Sequence, residues 1–252
     1  MQWVETSKQN HYFYNFNINN HCTEIQWAKH TAYFKTKNTH DSWQKRTICK
    51  RFTNLFLGDL AKNLFKTYLM ILRPYYFKDN IVEYDLIRTD AFKNPDKFDL
   101  KIVKGNKECT IEVKSSGEKY SSNPNRLLDR RIIINFGNEH QHFECMAVQI
   151  LFVPANLDFF QNEDYPDCKN SNNEYFDNFV NNYINQFYQQ NIQAYIVGWA
   201  DKEMQEKAVN ELIKIQNQNA NAEQRSYADL QVSNSYSLVD FLMKLDKFME
   251  TL

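Results

Sequence analysis

No two of the five cysteines, Cys22, Cys49, Cys109, Cys145 and Cys168, stand in a CxxC spacing. An odd number of scattered thiols with no secretory leader points to reduced cysteines rather than a disulfide framework. The start, Met1-Gln2-Trp3-Val4-Glu5, has no basic stretch followed by an apolar core, and no apolar run approaches the length of a membrane span. A soluble, cytoplasmic protein with no membrane partner is therefore expected. A Gly-rich phosphate loop and a G-x-S-x-G elbow are both missing, which removes ATP-driven and serine-hydrolase chemistry. Net charge is missing too: 30 Lys and Arg face 31 Asp and Glu, a formal -1. Without a global positive field, contact with a polyanion has to rest on local basic clusters, and a non-specific DNA coater is disfavoured. The scarcity of glycine and proline, five of each, amid abundant Asn, Tyr, Phe, Lys and Ile reads as AT-rich coding bias rather than mechanism.

What is present is enough for a folded core: 252 residues, 42% of them hydrophobic, suit one large α/β domain or a core with a small appendage. Residues 1–45 are aromatic and polar without a sustained period, and are expected as a segment of short strands or irregular structure packed on a body formed by residues 46–252. From about Trp43 to Leu72 the pattern becomes helical, with Phe52, Phe56, Leu60, Leu64 and Tyr68 recurring every four residues until Pro74. A strand is predicted at Ile81 to Ile87. Phe98, Leu100 and Ile102 then alternate with Asp99 and Lys101 up to a turn at Lys104-Gly105-Asn106-Lys107, and Cys109 to Lys114 returns as the second arm of a β-hairpin. The almost wholly apolar run Met146 to Val153 predicts a central strand beside that hairpin. A helix over Tyr175 to Phe187, a strand over Ala194 to Trp199, a helix capped by Asp201, a polar connection from Gln216 to Ser235 and a last helix over Leu238 to Phe248 complete the order. Helix, strands, helix, strand, helix describes one mixed sheet with helices on both faces.

The chemistry concentrates in Asn94-Pro95-Asp96-Lys97-Phe98-Asp99-Leu100 and Ile111-Glu112-Val113-Lys114-Ser115-Ser116. Side chains two apart on a strand share a face, so Glu112 and Lys114 point one way while Ile111 and Val113 point into the opposite layer. The hairpin brings Asp99 back beside them. Mg²⁺ takes one or two carboxylates plus waters and phosphate oxygens; Asp99 and Glu112 supply that number, with the Val113 carbonyl as a further ligand and Mn²⁺ as a possible substitute. Lys114 would stand near an attacking water, orienting it and countering charge on the phosphoryl oxygens. The competing reading is a wet strand face carrying Glu and Lys alternately.

Pro95-Asp96, Asp99 and Glu112-Val113-Lys114 resemble the PD-(D/E)xK nuclease superfamily, which includes many type II restriction endonucleases. The resemblance covers residues 94 to 116 directly, and the order of elements from about 50 to 200 is similar to the family core. It implies a restriction-endonuclease-like α/β fold, Mg²⁺-dependent hydrolysis of DNA in host defence, a homodimer and a cognate methyltransferase acting on the same site. Structure-selective repair, recombination or mobile-element cleavage is the alternative within the same chemistry, and a catalytically silent nucleic-acid-binding module is the alternative outside it. The family's metal-binding Asp starts the second core strand, which matches Asp99 better than Asp96. Its additional helix acid corresponds to Asp59 after Gly58, and Gln149 resembles a glutamine that some branches carry on a later strand.

Beyond the hairpin, Ser115, Ser116, Lys119, Arg126, Arg130 and Arg131 suit contacts to DNA phosphates, or else form a solvated helix face. Lys45, Arg46, Lys50 and Arg51, with Lys62 and Lys66 farther along, form a second basic group that either follows a DNA strand or is ordinary surface. His140, His142 and Cys145, flanked by Glu139 and Glu144, have a loose metal-like spacing, but no second cluster completes a structural zinc site.

Overall fold

The computed structural model describes residues 2–38, 46–92, 98–135, 146–161, 173–218 and 227–250. In chain order the elements are β1 (Gln2–Glu5), β2 (Tyr12–Asn17), α1 (Cys22–Asn38), α2 (Ile48–Leu72), α3 (Pro74–Phe77), β3 (Ile81–Glu83), α4 (Tyr84–Ile87), β4 (Leu100–Lys104), β5 (Lys107–Gly117), β6 (Arg131–Asn135), β7 (Met146–Val153), α5 (Asp158–Gln161), α6 (Asn173–Gln189), β8 (Gln193–Asp201), α7 (Lys202–Gln218), β9 (Tyr227–Gln231) and α8 (Leu238–Glu250). Seven strands form a mixed sheet in the order β1-β2-β8-β7-β5-β4-β3, and β6 with β9 makes a separate two-stranded sheet. The β5–β7 pairing is parallel, and the other described neighbours are antiparallel.

α2 forms where the four-residue period predicts it. Thr47 caps its start by accepting from the Lys50 N–H, and Pro74, with no N–H to donate, follows its end. Phe52, Phe56, Leu60, Leu64, Phe65 and Tyr68 are fully buried, each burial contributing about 1.5–3 kcal/mol. They join α1, α6 and α8 over one face of the large sheet, meeting Leu100, Ile102, Ile111, Val113, Val148 and Ile150. The other face is covered by the small sheet and two 3-10 turns, through Leu127, Leu128, Ile132 and Val232 against Ala147, Leu151, Tyr195 and Val197. α7 packs behind that small sheet through Val209. Among the described residues the helical cover is therefore uneven: one face carries helices directly, the other a two-stranded layer with α7 against it.

Residues 2–38 place two strands in the main sheet, β2 directly against β8, and add a 17-residue helix. The sequence reading of that stretch as short strands or irregular structure misses α1. Three further expectations are corrected. The strand predicted over Ile81 to Ile87 stops at Glu83 and turns into α4, closed by the Arg88 N–H to Tyr84 carbonyl bond, because Asp85 is drawn into buried lysines. The polar connection from Gln216 to Ser235 contains β9, whose Ala228, with Val232 just beyond it, is buried. Arg126, Arg130 and Arg131, for which a solvated helix face was the alternative to phosphate contacts, lie on a 3-10 turn, at its end and at the start of β6. Asp96, Lys45, Glu139, His140, His142, Glu144 and Cys145 lie outside the described residues.

The end of β5 is closed by shape. A Cβ added at Gly117 would lie 2.4 Å from the Phe160 ring, inside any tolerable contact. Gly117→Ala is expected to cost about 1–3 kcal/mol, read as a lower urea midpoint; an unchanged midpoint would show that this junction yields freely.

Candidate active site

The sheet forks at the candidate site. Leu100 pairs with Ile111 as the last β4–β5 partners, so Asp99 stands level with Glu112, and from Glu112 to Gly117 the described pairing of β5 is with β7 alone. Asp99 bridges the mouth of the fork: its Oδ2 accepts the Val113 N–H at 2.7 Å. In an antiparallel edge the N–H and C=O of one residue point the same way, so the Val113 carbonyl faces the same opening. Val113 and Ile111 bury their side chains under the helices, while Glu112 and Lys114 share the opposite face with their β7 partners Ala147 and Gln149.

The electrostatics converge on the same point. Burial pushes the Asp99 carboxyl up to about 7, the Glu112 carboxylate adds to that shift, and the Val113 N–H and the ammonium groups of Lys62 and Lys114 oppose it. Lys114 Nζ pairs with Glu112 Oε1. A buried carboxyl whose proton affinity a second carboxylate raises, beside an open carbonyl, matches what a hard divalent cation takes from a protein: one or two carboxylates, with water filling the rest. The donor set Asp99, Glu112 and the Val113 carbonyl therefore fits Mg²⁺.

Asp59 does not join this set. It is 4% exposed, its Oδ1 accepts from Lys35 at 2.7 Å and lies 3.4 Å from Lys62 Nζ, and its Oδ2 has no hydrogen-bond partner. Among the described residues no three His, Cys, Asp or Glu side chains gather closely enough to hold a metal. Asp59 belongs instead to a buried charge cluster in which Lys35, Lys62 and Arg88 face Asp59, Glu83 and Asp85. Lys35 lies 2.8 Å from Asp85, Lys62 lies 3.3 Å from Glu83 and pairs with Asp85, and Arg88 lies 3.6 Å from Asp85. Burial opposes the charge on both lysines, but the surrounding carboxylates outweigh it and raise both ammonium pKa values. Asp85 is likewise disfavoured by burial yet held below the usual carboxylate range by Lys62 and Lys35.

The remaining predicted residues divide by engagement. Arg130 forks onto buried Glu118, at 2.6 Å to Oε2 and 2.8 Å to Oε1, while the same carboxylate accepts the Tyr120 and Ser121 N–H groups. That guanidinium shapes the loop after β5 rather than presenting its fork to solvent. Arg131 is exposed and pairs with Asp229, and Arg126 is exposed near Asp129. Ser115, Ser116 and Lys119 line a pocket at the end of β5. Lys62, grouped by sequence with surface lysines, is 3% exposed. Its place in the cluster and beside Asp99 was missed, although a lysine three residues after Asp59 inside an apolar helix stripe was the available signal. Gln149 is buried beside Lys114 with Oε1 unpaired.

No protein-family model, curated protein or solved structure matches the chain.

Removing Lys62 leaves buried carboxylates short of a partner, so Lys62→Ala is expected to cost about 3–5 kcal/mol; a loss within the range of exposed ion pairs would show that Lys35 and solvent compensate. In metal-free protein, the raised Asp99 pKa means that the folded state binds this proton more tightly than the unfolded state. The Asp99 contribution is thus full at acid pH and lost as the pH rises through about 7. Asp99→Asn should stabilise the EDTA-treated protein more at pH above that value than below it, measured by thermal midpoints; an equal effect at both would contradict the assignment.

Proposed function

We propose that the chain is a Mg²⁺-dependent endonuclease that hydrolyses DNA phosphodiesters, with the restriction-endonuclease-like architecture and PD-(D/E)xK chemistry that its hairpin resembles. The observation that carries this reading is the meeting of Asp99, Glu112 and Lys114 at the fork, with Asp99 and Glu112 in electrostatic contact and Lys114 paired to Glu112.

In this reading Asp99 and Glu112, from the two arms of the hairpin, would hold the cation, and the Val113 carbonyl would be a further ligand. A bound Mg²⁺ supplies a lowered water pKa and polarisation of a phosphoryl oxygen. Lys114 exchanges part of its contact with Glu112 for the entering phosphate: its ammonium orients the water and offsets negative charge gathering on the non-bridging oxygens. The Val113 N–H keeps Asp99 turned toward the fork. Host-defence restriction, with a homodimer bringing two forks to two strands and a methyltransferase protecting the same site, is the setting proposed here.

The test is purified protein on supercoiled plasmid. Wild type is expected to nick and linearise DNA with Mg²⁺ or Mn²⁺ and not with EDTA, and Lys114→Ala, Asp99→Asn and Glu112→Gln should each lose at least about 100-fold in rate. Binding without metal-dependent cleavage, unchanged by Lys114→Ala, would make the protein a silent nucleic-acid-binding module.

A further inference from the structure

The loop that leaves β5 is built around a buried glutamate. Glu118 follows the last β5–β7 pair, its N–H extends the ladder by donating to the Phe152 carbonyl at 2.7 Å, and it is 2% exposed. Both carboxylate oxygens are engaged: Arg130 donates to Oε2 at 2.6 Å and to Oε1 at 2.8 Å, and Oε1 also accepts the Tyr120 N–H at 2.7 Å and the Ser121 N–H at 3.1 Å. A carboxylate this deep is tolerable only when paired and filled in that way. Gln161 of α5 donates to the Lys119 carbonyl at 2.6 Å, and the side chains of Ser121 and Asn123 accept the N–H groups of Asn123 and Asn125. A surface loop is ordinarily the mobile part of a fold; this one has its backbone fixed from residue 118 to residue 125.

What the loop holds out is Tyr120. Its ring is 77% exposed, the Arg130 guanidinium lies over it at 5.1 Å, and among the described residues the ring and its hydroxyl have no other partner. The guanidinium pinned by Glu118 thus backs one face and leaves the other to solvent. A singly exposed aromatic needs no explanation. One set over a buried ion pair, on a backbone ordered before anything binds, is a preorganised flat surface, and the partner that fits it is another flat ring, which every nucleobase carries. Position supports the same partner. By the two-residue period Glu118 shares the β5 face of Glu112 and Lys114, and four residues of strand put the loop about 13 Å from Lys114, the length of about four stacked nucleotides.

We propose that Tyr120, held by the Glu118–Arg130 pair, is a stacking platform for an unpaired DNA base a few nucleotides from the cleaved phosphate, so that the substrate this site prefers carries a single-stranded stretch beside the cut. The distance to a cleaved phosphate rests on the nuclease reading; the stacking of an unpaired base does not.

Fluorescence anisotropy in EDTA across a salt series tests it on the full chain, with two labelled probes: a DNA duplex carrying a short single-stranded gap, and the unbroken duplex of the same sequence. Tyr120→Ala should weaken binding of the gapped duplex about tenfold, leave the unbroken duplex within about twofold, and leave the salt slope unchanged because no phosphate contact goes with the ring. Tyr120→Phe keeps the ring and should bind both probes as wild type does. The side chain is exposed, so both variants should keep the wild-type thermal midpoint. Wild-type affinity of Tyr120→Ala for the gapped duplex overturns the proposal, and so does a loss of equal size on both probes or a reduced salt slope. The expected loss in a protein that never cleaves DNA with Mg²⁺ upholds the platform and sinks the nuclease reading instead. Metal-dependent cleavage by the wild type, with gapped-duplex binding untouched in Tyr120→Ala, keeps the nuclease reading and removes the platform.

Discussion

The site depends on where β4 stops. Leu100 and Ile111 are the last paired residues between the arms, and β5 continues for six residues with β7 alone as its described partner. Had β4 begun a turn earlier, the Val113 N–H and carbonyl would be consumed by a ladder and Asp99 would be one more cross-strand neighbour. Ending the pair at that point leaves a polar edge inside an otherwise covered sheet. It costs a backbone hydrogen bond that the Asp99 carboxylate replaces at 2.7 Å, and buried N–H groups tolerate little else.

The charges around the fork obey the same economy of burial. Lys62 sits in α2, under the helical layer, within electrostatic reach of Asp99, and is itself held by Asp59, Glu83 and Asp85. The cluster ties α1, α2, β3 and α4 together through groups that are expensive to bury singly and tolerable as an interlocked set. Its effect at the fork is a positive charge fixed in place behind Asp99. Lys114 provides a second one in front, on a long stem and paired to Glu112.

Much of the hairpin was legible in the sequence because two periodicities agreed. Alternation over Phe98 to Ile102 and Cys109 to Lys114, with Gly105 able to take its φ of 56° in the turn, fixed both arms and the register that sets Asp99 opposite Glu112. The four-residue stripe of α2 and the apolar run of β7, broken only by Gln149 and buried at every residue, were equally readable. Less local features were not. α1 buries Ile25, Ala28 and Ala32 but leaves Trp27 and Phe34 exposed, so its apolar residues trace no single stripe. The cluster of Lys35, Asp59, Lys62 and Asp85 draws on three separate segments and looks, residue by residue, like ordinary surface charge. Arg130 carried the right charge for a phosphate contact, and nothing local in the sequence reveals that its partner is Glu118.

The claim at the centre of this account is that Asp99 and Glu112, brought level by the register of β4 and β5, share one divalent cation. Electron paramagnetic resonance of Mn²⁺ titrated into the purified chain measures this without any requirement for turnover. The account predicts one tightly held Mn²⁺ per chain, lost in Asp99→Asn and in Glu112→Gln, and kept in Lys114→Met and in Asp59→Asn. Binding that survives both carboxylate substitutions, or a wild-type chain that leaves all the Mn²⁺ free in solution, would contradict it.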